Sequence, residues 1–192
     1  MAVAGERKLQ IMQTLAAMLE TPAGEKITTA ALAARLDVSE AALYRHFASK
    51  AQIFEGLIDF IEHALFGLIN KITSSQENSV DQLEAILALL LGFAQKNPGM
   101  TRVLIGDALV NENDRLQIRI NQLHDRLEAT LRQCLRIAAG QGETRQELDT
   151  AATANFLLCY VIGRWHQFAK SGFKRDPAAD FASQWPLLRA AF

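Results

Sequence analysis

The segment from Ile27 to Lys50 constrains the fold of this chain most, because it has the pattern of two short helices joined by a tight turn. Thr28 is placed to cap a helix whose apolar residues recur at helical spacing, and Ser39 is placed to cap the next one. Asp37 stands in the turn, where Asp tolerates the left-handed backbone conformation better than most residues. Alanines on both segments allow the helices to cross closely. The pattern predicts a helix-turn-helix, whose second helix is built to enter a DNA major groove.

The run YRHFASK, residues 44–50, resembles the end of the DNA-binding head of TetR-type regulators. The resemblance implies that Tyr44, His46 and Lys50 hold phosphate groups of DNA. The chemistry is consistent with this role, since a phenol, an imidazole and an ammonium can all donate to phosphate oxygens. The sequence departs from the family at Asp37, where the family usually has Gly.

Base reading is expected from the exposed first turn of the second helix. Glu40 can accept a hydrogen bond from a cytosine amino group, and the methyl groups of Ala41 and Ala42 can touch thymine methyl groups. The complete predicted DNA-binding set is Thr28, Thr29, Ser39, Glu40, Ala41, Ala42, Tyr44, His46 and Lys50.

The resemblance extends well beyond the head. Residues 26–65, 89–109, 115–136 and 180–188 resemble the nucleoid occlusion factors of gamma-proteobacteria. Those proteins have the TetR fold, bind DNA and antagonise assembly of FtsZ, the tubulin-like GTPase of cell division. The resemblance therefore implies a homodimer that binds palindromic double-stranded DNA and FtsZ. Because general TetR similarity stops at the head, this fuller match is the more specific one.

The chain as a whole predicts an all-α, TetR-like fold of about nine helices, with no strand alternation. We expect a helix-turn-helix head at residues 1–50 and a helical regulatory and dimerisation body at residues 51–192. Ser49 with Gln52, and Ser79 with Gln82, have the spacing of capping boxes at helix starts.

The last two helices are expected to pair with a second copy of the chain. In TetR-fold proteins these helices form a four-helix bundle across a two-fold axis, and the matching large side chains here are Phe156, Tyr160, Trp165, Trp185 and Leu188. The alternative is that these residues only fill the core of their own chain. A dimer is favoured because the fold nearly always closes as one.

A second face is expected to bind FtsZ. The residues that match the partner-binding face of the family are Phe60, Leu89, Gly92, Lys96 and Asn97. A glycine inside a helix costs about 1 kcal/mol relative to alanine, which a close approach of another chain or helix at Gly92 would explain. Lys96 can pair with an acidic segment of the partner. The alternative is that the apolar residues are core, the glycine permits packing within the chain, and Asn97 only caps the next helix. Leu68 departs from the family, which places Arg there.

Charge and motif content argue against other classes of protein. The formal net charge is −1, and residues 1–50 carry six basic against five acidic residues, so any DNA-binding surface must be a local patch. The four histidines fall on separate predicted helices without a zinc-ligand spacing, and the sequence has no nucleophile elbow or phosphate-binding loop. We expect no enzyme activity, no cofactor and no metal.

Cysteine usage and hydropathy indicate where the protein works. Cys134 and Cys159 lie in apolar segments and are expected to be free core thiols in a reducing cytosol. The N-terminal residues have no apolar signal region, and the longest apolar run, residues 85–94, is half of a membrane span. A cytoplasmic, nucleoid-associated protein without a membrane partner is expected. One alternative function stays open: a TetR-type transcriptional repressor that releases DNA when a small molecule enters its body.

Overall fold

The computed structural model describes residues 4–21 and 27–192, and within these ranges it consists of helices joined by turns. The nine α-helices are α1 (Ala4–Leu19), α2 (Thr29–Arg35), α3 (Glu40–Tyr44), α4 (Lys50–Ser75), α5 (Ser79–Lys96), α6 (Pro98–Leu104), α7 (Asp114–Gly140), α8 (Thr150–Lys170) and α9 (Phe181–Arg189). A short 3₁₀ turn, Asp107–Leu109, lies between α6 and α7. For the described residues, the prediction of an all-α fold of about nine helices is confirmed.

The chain divides into two compact units that do not follow the chain order. The first unit is Met1–Ile61 with Asn97–Ile120, and the second is Glu62–Lys96 with Asn121–Phe192. The first unit therefore holds the helix-turn-helix together with α1 and α6. The division at residue 50 was predicted from function, and it stays a prediction.

In the first unit, α6 packs closely on α1 because of a glycine. A Cβ atom built on Gly99 would lie 1.9 Å from the carbonyl oxygen of Ala16 and 3.2 Å from the Cβ of Leu19. A side chain at this position would collide with the backbone of α1, so Gly99 is required for the contact between the two helices. The sequence analysis did not identify this role.

In the second unit, α8 packs on α5 around a buried tryptophan. Trp165 is fully buried, and its indole Nε1 donates a hydrogen bond to the carbonyl oxygen of Leu90 at 3.0 Å. The start of α5 is held by Glu143, whose carboxylate accepts from the backbone N–H groups of Ser79 and Val80. Both contacts fix α5 within this unit.

The two predicted capping boxes have different outcomes. At the start of α4, Ser49 Oγ accepts from the N–H of Gln52 at 3.2 Å, and Gln52 Oε1 accepts from the N–H of Ala48 at 2.8 Å, which confirms the cap. At the start of α5 the prediction was wrong. The side chain of Asn78 accepts from the N–H of Asp81. Ser79 is buried, and its hydroxyl donates to the side chain of Gln141, in the turn after α7. Asn caps a helix as well as Ser does, so the sequence offered two adjacent candidates.

Candidate nucleic-acid interface and protein-binding faces

The helix-turn-helix is built by the two capping residues that its sequence predicts. Thr28 Oγ1 accepts from the N–H of Ala31 at 3.1 Å, and Ser39 Oγ accepts from the N–H of Ala42 at 3.3 Å. Asp37 has φ of 53°, the left-handed conformation that was expected for this residue in the turn. The prediction of a helix-turn-helix at these residues is confirmed.

The motif buries its leucines Leu32 and Leu43 and exposes the start of α3. Leu32 and Leu43 are buried, and they hold α2 against α3. Ser39, Glu40 and Ala41 are exposed at the start of α3, which is the turn expected to meet base edges. The predicted base-reading turn is thus accessible, although its contact with DNA stays a prediction.

Three residues of the predicted DNA-binding set form a hydrogen-bonded chain on this surface. The hydroxyl group of Thr29 donates to Glu40 Oε2 at 2.6 Å. The phenol of Tyr44, which is 47% exposed, lies 3.5 Å from the same threonine oxygen. The first residue of α2 is therefore connected to both ends of α3.

Lys50 and His46, the other two residues predicted to hold phosphate, are only partly accessible. The ammonium of Lys50 forms an ion pair with Glu112, and its side chain is only 22% exposed. The same ammonium lies 5.8 Å from the ring centroid of Phe54. His46 is half-buried. A phosphate group that binds Lys50 must compete with, or share, the carboxylate of Glu112.

The predicted FtsZ-binding residues of α5 lie on one accessible face of that helix. Leu89 and Gly92 are half-buried and Lys96 is exposed, with the spacing that places residues along one side of a helix. A Cβ atom built on Gly92 would meet nothing within 4 Å. The alternative that Gly92 permits packing within the chain is therefore not supported. In the other unit, Phe60 is 37% exposed, and Asn97 is the residue that precedes α6.

Three of the five predicted dimer residues are buried within their own chain. Trp165 is fully buried in its own chain, and Trp185 and Leu188 are each only 6% exposed. Trp185 packs on the rings of Phe181 and Phe192, at centroid distances of 6.2 and 5.9 Å. Side chains that are already buried within one chain have almost no surface left to bury against a partner. For these three residues the burial favours the alternative, a core within one chain.

The other two predicted dimer residues remain accessible, and they have apolar neighbours that the sequence analysis passed over. Phe156 is 49% exposed, and Tyr160 is half-buried with its hydroxyl donating to Gln184 at 2.6 Å. Cys159 was predicted to be a core thiol, and this is wrong, because it is exposed together with Gly163 on the same side of α8. Leu187 on α9 is 74% exposed. The periodicity of α8 carries large residues on two faces, so spacing alone did not separate the outer face from the core.

The second unit contains a cavity of about 470 Å³ between α4, α5 and α7. Three of its polar lining groups are engaged within the chain: Arg126 donates to Glu62, Thr130 to the carbonyl of Arg126, and Gln82 to the carbonyl of Gln76. Burial raises the pKa of Cys134, which also lines the cavity, to about 11. A ligand site is expected to offer convergent polar groups with bonding capacity left. The three engaged groups therefore do not favour the repressor alternative.

Among the residues that the structure describes, no group of His, Cys, Asp or Glu side chains is arranged to hold a metal ion. Across the same ranges, none of the helices combines the length and the hydropathy that crossing a bilayer needs.

The comparisons with known families match both parts of the chain. Residues 23–57 match the family described as bacterial regulatory proteins of the tetR family. Residues 77–192 match the SlmA-like family of tetracyclin repressor-like C-terminal domains.

Individual relatives agree over nearly the whole length. The chain is 51% identical to the nucleoid occlusion factor SlmA of Alteromonas mediterranea, with 97% of this chain and 95% of the relative covered. It is also 51% identical to the nucleoid occlusion factor SlmA of Idiomarina loihiensis, with 95% and 93% covered. Among solved structures, AibR in complex with isovaleryl coenzyme A and operator DNA superposes with a TM-score of 0.75 at 18% identity, covering 97% of this chain and 100% of that one. At that identity the structural likeness shows the fold alone.

Proposed function

The chain belongs to the nucleoid occlusion factors of the TetR family, and we propose that it binds a palindromic DNA site as a homodimer and, when bound, antagonises FtsZ assembly. Members of this family are DNA-binding regulators and not enzymes, and the same holds for this chain. The proposed place of action is the cytoplasm, at the nucleoid. The observation that carries the proposal is the capped helix-turn-helix with its exposed first α3 turn, joined to a body that matches the same family.

DNA binding by this head rests on two kinds of contact. Glu40 and Ala41 are proposed to read base edges, since they are exposed at the start of α3. Tyr44, His46 and Lys50 are proposed to hold phosphates, which contributes affinity without sequence information. In a two-fold dimer the half-site centres are expected about 34–36 Å apart along the duplex, one helical turn.

The FtsZ-binding face is proposed to include the accessible side of α5. Residues 85–95 carry no charge, yet Leu89 and Gly92 on this stretch keep part of their surface accessible. Lys96 follows directly as an exposed cation at the end of the helix. An uncharged strip that ends in a single basic residue suits an apolar segment with a neighbouring acidic group on the partner. Phe60 and Asn97 belong to the other compact unit, and a contact of their own with FtsZ stays a proposal for these two residues.

The test is the charge reversal Lys96→Glu in the full-length protein. We expect FtsZ binding on a DNA-coated surface to fall at least tenfold, while affinity for the DNA site and the oligomeric state stay unchanged. Lys174→Glu is the matched control, since it reverses an exposed lysine in the loop between α8 and α9. If both variants weaken FtsZ binding equally, or if Lys96→Glu weakens DNA binding in parallel, the face is wrongly placed.

A further inference from the structure

We propose that Thr29 is a positioning residue for base reading: its hydroxyl holds one oxygen of the Glu40 carboxylate, so that the other oxygen is presented to the amino group of a base. The inference rests on the proposed role of Glu40 as a base-reading residue. It assigns to Thr29 a task that differs from a phosphate contact.

The geometry is a short hydrogen bond between the first residues of two successive helices. Thr29 begins α2 and Glu40 begins α3, and the distance from Thr29 Oγ1 to Glu40 Oε2 is 2.6 Å. A hydroxyl bonded to a carboxylate at this distance forms a charge-assisted bond, which is about twice as strong as a neutral one. The bond fixes the carboxylate relative to both helices of the motif.

The hydrogen atoms and lone pairs of the three side chains determine which group donates to which. A threonine hydroxyl has one hydrogen, which goes to Glu40, and two lone pairs, which can accept from the Tyr44 phenol 3.5 Å away. The carboxylate accepts at both oxygens, and Thr29 occupies only one site on Oε2. Oε1 keeps its capacity to accept from an exocyclic amino group, as carboxylates do from cytosine N4 in the major groove.

Because Thr29 holds the Glu40 carboxylate in the free protein, DNA binding loses less side-chain conformational entropy at Glu40. An exposed glutamate samples several rotamers, and fixing such a side chain costs conformational entropy. A glutamate that is already held by a neighbour has lost part of that freedom in the free protein. Base preference is therefore expected to depend on the hydroxyl of Thr29 even though the hydroxyl itself carries no information about the base.

Thr29 can be changed without disturbing the cap of its helix. The capping oxygen of α2 belongs to Thr28, which accepts from the N–H of Ala31. Thr29→Val keeps the shape and β-branching of the side chain and removes only the hydroxyl. Thr29→Ser keeps the hydroxyl and is the conservative variant that should restore function.

The experiment measures base preference in the full-length protein with four variants: Thr29→Val, Thr29→Ser, Glu40→Ala and the double variant Thr29→Val/Glu40→Ala. A selection from randomised duplexes identifies the site. Affinities are then compared between that site and duplexes changed at single base pairs of each half-site, and thermal melting confirms that every variant is folded.

We expect Glu40→Ala to reduce discrimination at one base pair of each half-site by roughly tenfold, the scale of one good base contact. Thr29→Val should reduce discrimination at that same base pair by roughly three- to tenfold. Thr29→Ser should keep it, and the double variant should lose no more than Glu40→Ala alone.

Two results would overturn the inference in distinguishable ways. If Glu40→Ala shifts base preference but Thr29→Val only weakens binding to all duplexes equally, Thr29 contacts phosphate and does not position Glu40. If Glu40→Ala leaves base preference unchanged, the proposed base-reading role of Glu40 fails first, and the inference fails with it.

Discussion

The ammonium of Lys50 lies on the carboxylate of Glu112, so the lysine predicted to hold phosphate has an ion-pair partner within its own chain. Glu112 is only 16% exposed, and it follows a backbone turn in which Asn111 has φ of 65°. The turn holds the carboxylate in place next to the start of α4. DNA that approaches Lys50 therefore meets a competing negative charge.

We expect Glu112→Gln to raise affinity for DNA by roughly two- to fivefold, because the amide keeps the side-chain shape but no longer competes for the ammonium. Lys50→Ala should weaken binding to all sequences about equally and reduce the salt slope by about one per protomer. In the double variant, the effect of Glu112→Gln should disappear. Fluorescence anisotropy of labelled duplexes at several salt concentrations measures all three.

A matched control separates this competition from a general change in charge. Asp107→Asn also removes one negative charge from the same unit, but it breaks a different pair, Arg102–Asp107, whose closest atoms are 2.7 Å apart. It should leave DNA affinity close to that of the parent protein. A fall in affinity for Glu112→Gln would mean that Glu112 orients Lys50 toward phosphate and does not compete with it.

The Lys50–Glu112 pair shows where prediction from sequence stops. The caps at Thr28 and Ser39 were predictable because each bond joins residues three positions apart, within one turn of helix. Glu112 lies 62 residues from Lys50, and no periodicity connects the two. Contacts of this kind depend on tertiary packing, which a single sequence does not display.

The faces of α8 give a second example of the same limit. Helical spacing placed Phe156 and Trp165 on a helix with two apolar sides, and both were predicted to meet a partner. The structure buries Trp165 against α5 and leaves Phe156 half exposed. Which side of a doubly apolar helix faces its own core depends on the position of α5, and spacing along α8 carries no information about that position.

Two glycines inside helices are expected to respond to alanine with opposite signs. Gly99→Ala should lower the free energy of unfolding by roughly 1–3 kcal/mol, because its Cβ would lie 1.9 Å from the carbonyl oxygen of Ala16. Gly92→Ala should raise it by up to about 1 kcal/mol, since its Cβ meets nothing within 4 Å and alanine is the better helix former. Urea denaturation at one fixed protein concentration measures both.

The same pair of variants also separates stability from partner binding. If α5 presents Gly92 to FtsZ, Gly92→Ala should weaken FtsZ binding even though the protein becomes more stable. A Gly92→Ala protein that is more stable and binds FtsZ as well as the parent would remove Gly92 from the proposed face.

A charge on the outer face of α8 is expected to break the proposed dimer. Phe156→Asp and Leu187→Asp each replace an apolar side chain, accessible in the single chain, with a carboxylate. Burying an unpaired charge against a partner is strongly unfavourable, so both variants should be monomeric at micromolar concentration. Sedimentation equilibrium gives the molar mass directly.

Ile118→Asp is the matched control for the dimer variants. Ile118 is an exposed isoleucine on α7, 56% accessible, and it belongs to the first compact unit, whereas α8 and α9 belong to the second. The variant should sediment as the parent protein does. If Ile118→Asp dissociates the dimer while Phe156→Asp leaves it intact, the chains associate through another face.

The two cysteines are expected to report folding and dimerisation separately. Cys134 is buried, and burial raises its pKa to about 11, so almost none of it is thiolate at pH 8. Cys159 is exposed on the same side of α8 as Phe156. In the native protein at pH 8, a thiol-specific disulfide reagent should therefore modify Cys159 first, and Cys134 only after denaturant is added.

Dimerisation should slow the reaction of Cys159 if α8 pairs through this face. We expect Phe156→Asp to speed modification of Cys159 and to leave Cys134 as unreactive as in the parent protein, because the core of the single chain is unchanged. Stopped-flow absorbance with Cys159→Ser as the reference assigns the fast phase. Equal modification rates for Cys159 in the parent dimer and in a monomeric Phe156→Asp protein would mean that the thiol lies outside the interface. The outer face of α8 would then not be the dimer interface.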